Sequence, residues 1–157
     1  MAIASIYNYK NPQKSSGQLS GLKTQKTNNI KKNVNSYSNN SDKYLEQKVM
    51  TAKPEELTLM LYEGIIKFLN QAKIFMEQKN IDKTNNRLLR AQAIVDELSG
   101  TLDMEFEHSM DLQQLYAFMS ENLLEANLKK EMKPLDDALA IAVEMRQMWK
   151  EVMEAAR

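Results

Sequence analysis

With 157 residues, 43% of them apolar, the chain is long enough for one domain with a single packed core. It has no cysteine, which excludes disulfides, thiolate metal sites and thiol nucleophiles, and its four glycines and three prolines favour helices over hairpin turns. The zero net charge divides into a basic part, residues 1–43 with seven lysines against Asp42 alone, and an acidic part, residues 44–157 with 14 basic and 20 acidic side chains.

Residues 1–43 are predicted to form a disordered, polar and basic tail. Of these residues, 27 are Asn, Ser, Lys, Gln or Thr, and the aliphatic residues follow no sustained period. Because the acidic part would repel nucleic acid, only this tail could bind it, with Tyr7, Tyr9 and Tyr37 stacking on bases. We expect a solvated segment instead, and no nucleic-acid partner.

Residues 44–157 contain four segments of helical period. The first begins at Pro54, followed by two glutamates that complement the helix dipole, and ends near Gln78. Gly64 lies on its apolar side and would let a neighbouring helix approach closely. The residues of the main apolar face are Leu57, Leu61, Ile65, Phe68, Ala72 and Phe75.

The other three segments complete a predicted bundle. Asp82 is expected to cap the second, which Gly100 closes, and the fourth begins at Pro134. Four helices with short connections pack antiparallel with their neighbours, so we predict an all-α, up-down-up-down four-helix bundle. The inward residues are predicted to be Leu88, Ala91, Val95 and Leu98 in the second segment, Leu112, Leu115, Met119, Leu123 and Ala126 in the third, and Leu135, Ala138, Ala142, Met145, Trp149 and Val152 in the fourth.

A second apolar stripe on the first helix is the candidate binding surface. Leu59, Tyr62, Ile66 and Leu69 have helical spacing and are expected roughly opposite the core face, where large exposed apolar patches usually mark binding. The alternatives are cover in cis, by the segment from Tyr44 to Met50, or a structural bundle in which the stripe is a homodimerisation seam. Other apolar residues expected off the core faces are Leu89, Leu124, Leu128, Ile141 and Met148.

The sequence gives no reason to propose catalysis, a cofactor or a metal. Glu105 and His108 have the Glu-x-x-His spacing of di-metal bundles, but His108 is the only histidine and such sites need a second motif. No signal peptide or membrane-spanning apolar run is recognisable, so we expect a cytoplasmic protein that does not insert into the membrane.

One long run of residues resembles a known family. The stretch Thr-Ala-Lys-Pro-Glu-Glu-Leu-Thr-Leu-Met-Leu-Tyr-Glu-Gly at 51–64 is similar to the signature of the flagellar secretion chaperones called FliS. Further similarity continues through 90–98, the Leu115-Tyr116 pair, 125–127 and 145–149, so the resemblance covers about 44–157.

The resemblance implies a helical bundle that binds the C-terminal segment of flagellin, prevents its premature polymerisation and delivers it to the export apparatus. It implies no cofactor, leaves docking of other export components open, and is compatible with a monomer or weak dimer. The flagellin groove would be lined by Leu59, Tyr62, Ile66 and Leu69. The family's N-terminal segment, which can cover this surface, corresponds to a cap formed here by Tyr44, Val49 and Met50.

Two features depart from the family pattern. Lys53 stands before the proline, where a capping residue with an acceptor oxygen is common, so either the cap is lost or Thr51 substitutes for it. The tail of residues 1–43 precedes the usual start of the family. We expect a plain disordered extension, the alternatives being that Ile3–Tyr9 forms a second cap or a docking element for another export protein.

Overall fold

The computed structural model describes residues 43–105 and 107–157, with side chains from Gln47 onward. It contains five helices: α1 (Lys43–Thr51), α2 (Pro54–Glu77), α3 (Ile81–Thr101), α4 (Ser109–Lys129) and α5 (Met132–Ala155). No strand occurs in these two ranges. The all-α prediction is therefore confirmed for the described residues, while the predicted tail of residues 1–43 lies outside them except for Lys43, which begins α1.

The four long helices form a helical bundle. Helix α2 packs against α3 and α5, and α4 packs against the same two helices. One hydrophobic cluster fills the space between them, and all five helices contribute to it, from Val49 in α1 to Trp149 in α5. Because each long helix touches two neighbours, its apolar surface must be wider than a single stripe.

Helix α2 begins at Pro54 as predicted, and the structure decides between the two capping alternatives. Lys53 occupies the N-cap position, and its side chain caps nothing. Thr51 does not replace it, because its hydroxyl donates to the Gln47 carbonyl within α1 at 2.8 Å. What remains is half of a capping box, in which the Lys53 backbone N–H donates to a Glu56 carboxylate oxygen at 3.1 Å.

The ends of α3 differ slightly from the prediction. Its N-cap is Asn80, whose side-chain oxygen accepts from the Lys83 N–H at 3.1 Å, and Asp82 lies in the first turn instead. Gly100 does not close the helix, which continues through Thr101. Both shifts are of one or two residues, the usual variation at helix ends.

One inward position of α4 was predicted wrongly. Leu115 is 40% exposed, whereas Tyr116 beside it is 1% exposed and lies in the core. The buried apolar positions repeat at spacings of four and three residues, which the bundle requires of its seam. They are Leu112, Tyr116, Met119, Leu123 and Ala126.

The contact between α2 and α3 uses the glycine singled out from the sequence. A Cβ added to Gly64 would lie 3.1 Å from the Cδ1 atom of Ile94, so glycine permits this close approach. Further along the same contact, the Arg90 guanidinium lies 5.9 Å from the centre of the Phe68 ring. A small residue thus brings the backbones together, and a cation–π contact adds to the packing.

Candidate partner-binding surfaces

The stripe predicted to line a groove is mostly buried. Tyr62 and Leu69 are 0% exposed and Ile66 is 8% exposed, while Leu59 is partly buried against the core. The expectation that this stripe faces solvent is therefore wrong for three of its four residues. A homodimerisation seam along the stripe loses its basis for the same reason.

Helices α4 and α5 account for the burial of Tyr62. Its hydroxyl lies 2.8 Å from the hydroxyl of Tyr116 in α4, and its ring meets Trp149 of α5 edge-on with the ring centres 6.5 Å apart. Successive helical residues turn by about 100°, so Tyr62 projects about 100° from Leu61 and about 60° from Ile65, not opposite them. The stripe that contains Tyr62 therefore starts on the side of α2 that α5, its second neighbouring helix, covers.

Leu59 and Ile66 lie further round the helix, at the far edge of this buried arc. Ile66 keeps only a small exposed fraction, and Leu59 is partly accessible. They are therefore the two members of the predicted stripe that lie nearest to solvent.

The predicted cap segment is helical, and one of its residues is a core residue. Val49 is 0% exposed and belongs to the same hydrophobic cluster as Ile66 and Leu69. It is the one buried side chain among those described in α1, and Met50 is 54% exposed. The side chain of Tyr44, the third predicted cap residue, lies outside the described residues.

A different apolar surface is open between α3 and α4. A groove of about 310 Å³ runs between these helices, and we call it the α3–α4 groove. Leu89 and Leu124, which line it, are 54% and 58% exposed, and the neighbouring Leu128 is 76% exposed. The lining residues are Leu88, Leu89, Gln92, Ser120, Glu121, Leu123, Leu124 and Asn127.

Sequence reasoning placed Leu89, Leu124 and Leu128 off the core faces, and the structure confirms that position. It did not bring them together as a site, because a helical wheel shows which side of one helix a residue occupies and not which neighbour it meets. The available signal was the pair Leu124 and Leu128, one turn apart on a helix whose core stripe was already complete.

Polar and acidic groups surround the α3–α4 groove. The Gln92 side-chain amide donates to the Ser120 hydroxyl at 2.8 Å and to Asp96 at 3.0 Å, which links the two helices. Glu125 is paired with Lys129 at 3.0 Å, and this hydrogen bond raises the pKa of the Lys129 ammonium. Within the described ranges, no basic side chain forms an ion pair with Glu121 or Asp96, so the groove keeps an acidic rim.

Other kinds of site find no support in the described part of the chain. Glu105 and His108 are exposed near the start of α4, and residues 43–105 and 107–157 contain no cluster of three potential metal ligands. None of the helices in those ranges is long and apolar enough to cross a bilayer.

Comparison with known proteins identifies the family. A sequence model described as flagellar protein FliS matches residues 37–156. The chain is 34% identical over 114 residues to the flagellar secretion chaperone FliS of Bacillus subtilis, covering 73% of this chain and 86% of the relative. For the proteins of the same name from Salmonella typhimurium and Vibrio cholerae, the identities are 30% over 115 residues, covering 71% and 85%, and 33% over 110 residues, covering 69% and 81%. The chain therefore belongs to the FliS family of flagellar secretion chaperones.

Proposed function

We propose that this chain is a cytoplasmic, non-enzymatic export chaperone that holds the C-terminal segment of flagellin. It would prevent premature polymerisation of flagellin and assist delivery to the flagellar secretion apparatus. Family membership supports the general role. The flagellin segment and its binding surface are our proposal, because they rest on the resemblance and on the burial of Val49 of α1 in the core.

The proposed scaffold is an up-down-up-down four-helix bundle. The connections between α2, α3, α4 and α5 are short, at 78–80, 102–108 and 130–131, which favours antiparallel neighbours. Contacts at both ends of one pair agree with this order. The Trp149 indole near the end of α5 donates to the Glu55 carbonyl in the first turn of α2 at 2.9 Å. Lys73, near the end of α2, pairs with Asp136 near the start of α5 at 2.7 Å.

The observation that carries the proposal is the burial of Val49. Helix α1 has nine residues, and among its described side chains only Val49 is inserted into the core cluster. A helix this short is marginal by itself and depends on that contact. An amphipathic client helix with apolar anchors could displace it and occupy the surface that it leaves.

The proposed client surface is the edge of α2 formed by Leu59 and Ile66, with Leu69 beside them. These residues have helical spacing, and the first two are the most accessible members of the stripe. Tyr62 would support this surface from within the core, since its hydroxyl and ring are engaged by α4 and α5. In this arrangement α1 is a cap in cis that competes with flagellin.

The test is calorimetric titration of the full chain with the C-terminal segment of a flagellin from the same organism. Val49→Ala removes about 1–2 kcal/mol of apolar burial from the cap. If α1 competes with the client, this change should tighten flagellin binding by up to about 30-fold, because less free energy is needed to displace the cap.

Met50→Ala is the matched control. It also truncates an apolar side chain of α1, but this side chain is 54% exposed. Its affinity should equal that of the unmodified chain. Equal affinities for all three proteins would mean that α1 does not cover the client surface. No saturable binding to the unmodified chain, with its helical circular dichroism intact, would sink the flagellin proposal itself.

A further inference from the structure

We infer that the α3–α4 groove is a docking site for the chain's own N-terminal segment, Ile3–Tyr9. This inference concerns a surface that the proposed flagellin site does not use, and it does not depend on that proposal. It also assigns a role to the residues that precede the family match, which begins at residue 37.

The groove offers apolar surface that the bundle leaves uncovered. Leu89 of α3 and Leu124 of α4 line it, and Leu128 lies one turn beyond Leu124; each is more than half exposed. The groove between the two helices has a volume of about 310 Å³, and Leu88 and Leu123 are among the residues that line it. Neighbouring exposed apolar side chains that flank a cavity are typical of a surface covered by another segment.

The N-terminal segment has the anchors that such a groove accepts. Ile3, Ile6 and Tyr7 have the i, i+3, i+4 spacing that places side chains on one side of a helix. Lys10 follows one turn later, so a helical segment docked through these three anchors would end with a positive charge at the groove. Ile30, Val34 and Tyr37 form a second group at helical spacing nearer to α1, so the test below substitutes an anchor of the first group to distinguish the two.

Charge favours this occupant over a second copy of the bundle. Residues 1–43 carry seven lysines against one aspartate, while residues 44–157 carry an excess of acidic side chains. Glu121 lines the groove, and Asp96 lies beside it, without an ion-pairing partner in the described ranges. Lys10 and Lys14 would meet these carboxylates, whereas a second acidic bundle would repel them.

Chain length permits the contact. About 30 residues separate Lys10 from the start of α1, and a chain of that length can span up to about 100 Å. The longest helices have 24 residues, or about 36 Å at 1.5 Å per residue. Since the segment is covalently attached, its effective concentration at the groove is on the order of 1 mM, so a few anchors suffice.

The absence of cysteine makes a direct test possible. Ser5→Cys introduces the only thiol in the chain, on the side opposite Ile3, Ile6 and Tyr7, and a nitroxide attached there broadens nearby amide signals in an NMR spectrum. Docking predicts loss of signal intensity along both walls of the groove, at residues 88–92 and 120–127. The outward side of α5 around Val143 should keep its intensity.

Three substitutions in the labelled full chain sharpen the test. Leu124→Asp places a charge in the groove and should restore the lost intensities; since Leu124 is 58% exposed, the bundle should stay folded. Val143→Asp alters a 38% exposed apolar residue of α5 and should leave the broadening unchanged. Ile6→Asp removes an anchor from the other partner and should act like Leu124→Asp.

Three results would overturn the inference. Broadening spread evenly over the bundle would mean that the segment has no preferred site, and broadening unaffected by Leu124→Asp would place the site elsewhere. The third result comes from a mixture in which some chains carry the nitroxide without ¹⁵N and the others carry ¹⁵N without the nitroxide. If the groove signals broaden there as much as in a chain that carries both labels, a second copy supplies the segment.

Discussion

The buried hydroxyl pair of Tyr62 and Tyr116 is the most informative feature at the scale of single residues. Both side chains are fully or almost fully buried, and their oxygen atoms lie 2.8 Å apart. Tyr62 lies in α2 and Tyr116 in α4, two helices that each pack mainly on α3 and α5. The hydrogen bond therefore crosses the middle of the bundle, where it fixes how these two helices are rotated and shifted relative to each other.

A double-mutant cycle measures this hydrogen bond. Tyr62→Phe and Tyr116→Phe should each lower the free energy of unfolding by about 0.5–1.5 kcal/mol, since each removes one partner of a buried hydrogen bond. The double variant should lose less than the sum, by about 1 kcal/mol, because the hydrogen bond between these two hydroxyls is already broken by the first change. Urea unfolding followed by circular dichroism gives the values. Strictly additive losses would mean that the two hydroxyls do not stabilise each other.

The same pair shows what the sequence could and could not predict about individual residues. Most core positions followed from helical spacing, but Leu115 and Tyr116 are adjacent and both apolar, and the wrong one was assigned to the core. Tyr62 was placed outside the core because α2 was treated as a helix with a single buried side. Which residues a second neighbouring helix covers depends on the rotation of both helices, and one sequence does not specify that rotation.

At the scale of elements, the four long helices were predictable because each combines a clear apolar period with an identifiable start or stop. Their ends were less predictable: Asn80 and Asp82 are both good capping residues, and their competition is decided by the loop geometry. Helix α1 was predicted only as a cap segment. Its nine residues are too few for local preference to decide helicity, so its conformation depends on the docking of Val49.

Helix α1 should consequently be the least protected helix of the described chain. In native-state hydrogen exchange, its amides should exchange through a local opening that requires much less free energy than global unfolding. The amides of α2 around Tyr62 and Leu69 should exchange only through openings that require nearly the free energy of global unfolding. Val49→Ala should speed amide exchange in α1, and it should change the free energy of global unfolding by a smaller amount. Equal protection of α1 and α2 would contradict the view of α1 as a displaceable cap.

At the scale of the whole molecule, the sequence correctly predicted the family and an all-α fold for the described residues, but the expectation that the apolar stripe on α2 is exposed was wrong for most of its residues. The stripe on α2 is largely internal, while Leu89 and Leu124 line the open groove and Leu128 is exposed beside it. All these residues lie away from the main face of their own helix. The stripe on α2 is buried because side chains of α4 and α5 cover that side of α2. No described helix covers the outside of the α3–α4 groove, so its leucines stay exposed.

The bundle should unfold as one cooperative unit. A single hydrophobic cluster joins all five helices, and the α2–α5 contact is held at one end by Trp149 and at the other by Lys73 and Asp136. Trp149 is the only tryptophan, so its fluorescence reports the separation of α5 from α2, whereas far-ultraviolet circular dichroism reports helix content throughout. Because neither helix pair has a core of its own, the two signals should follow the same urea transition. A fluorescence change at lower urea than the loss of helix would instead mean that α5 separates from a bundle that remains helical, and the single-core description would have to be given up.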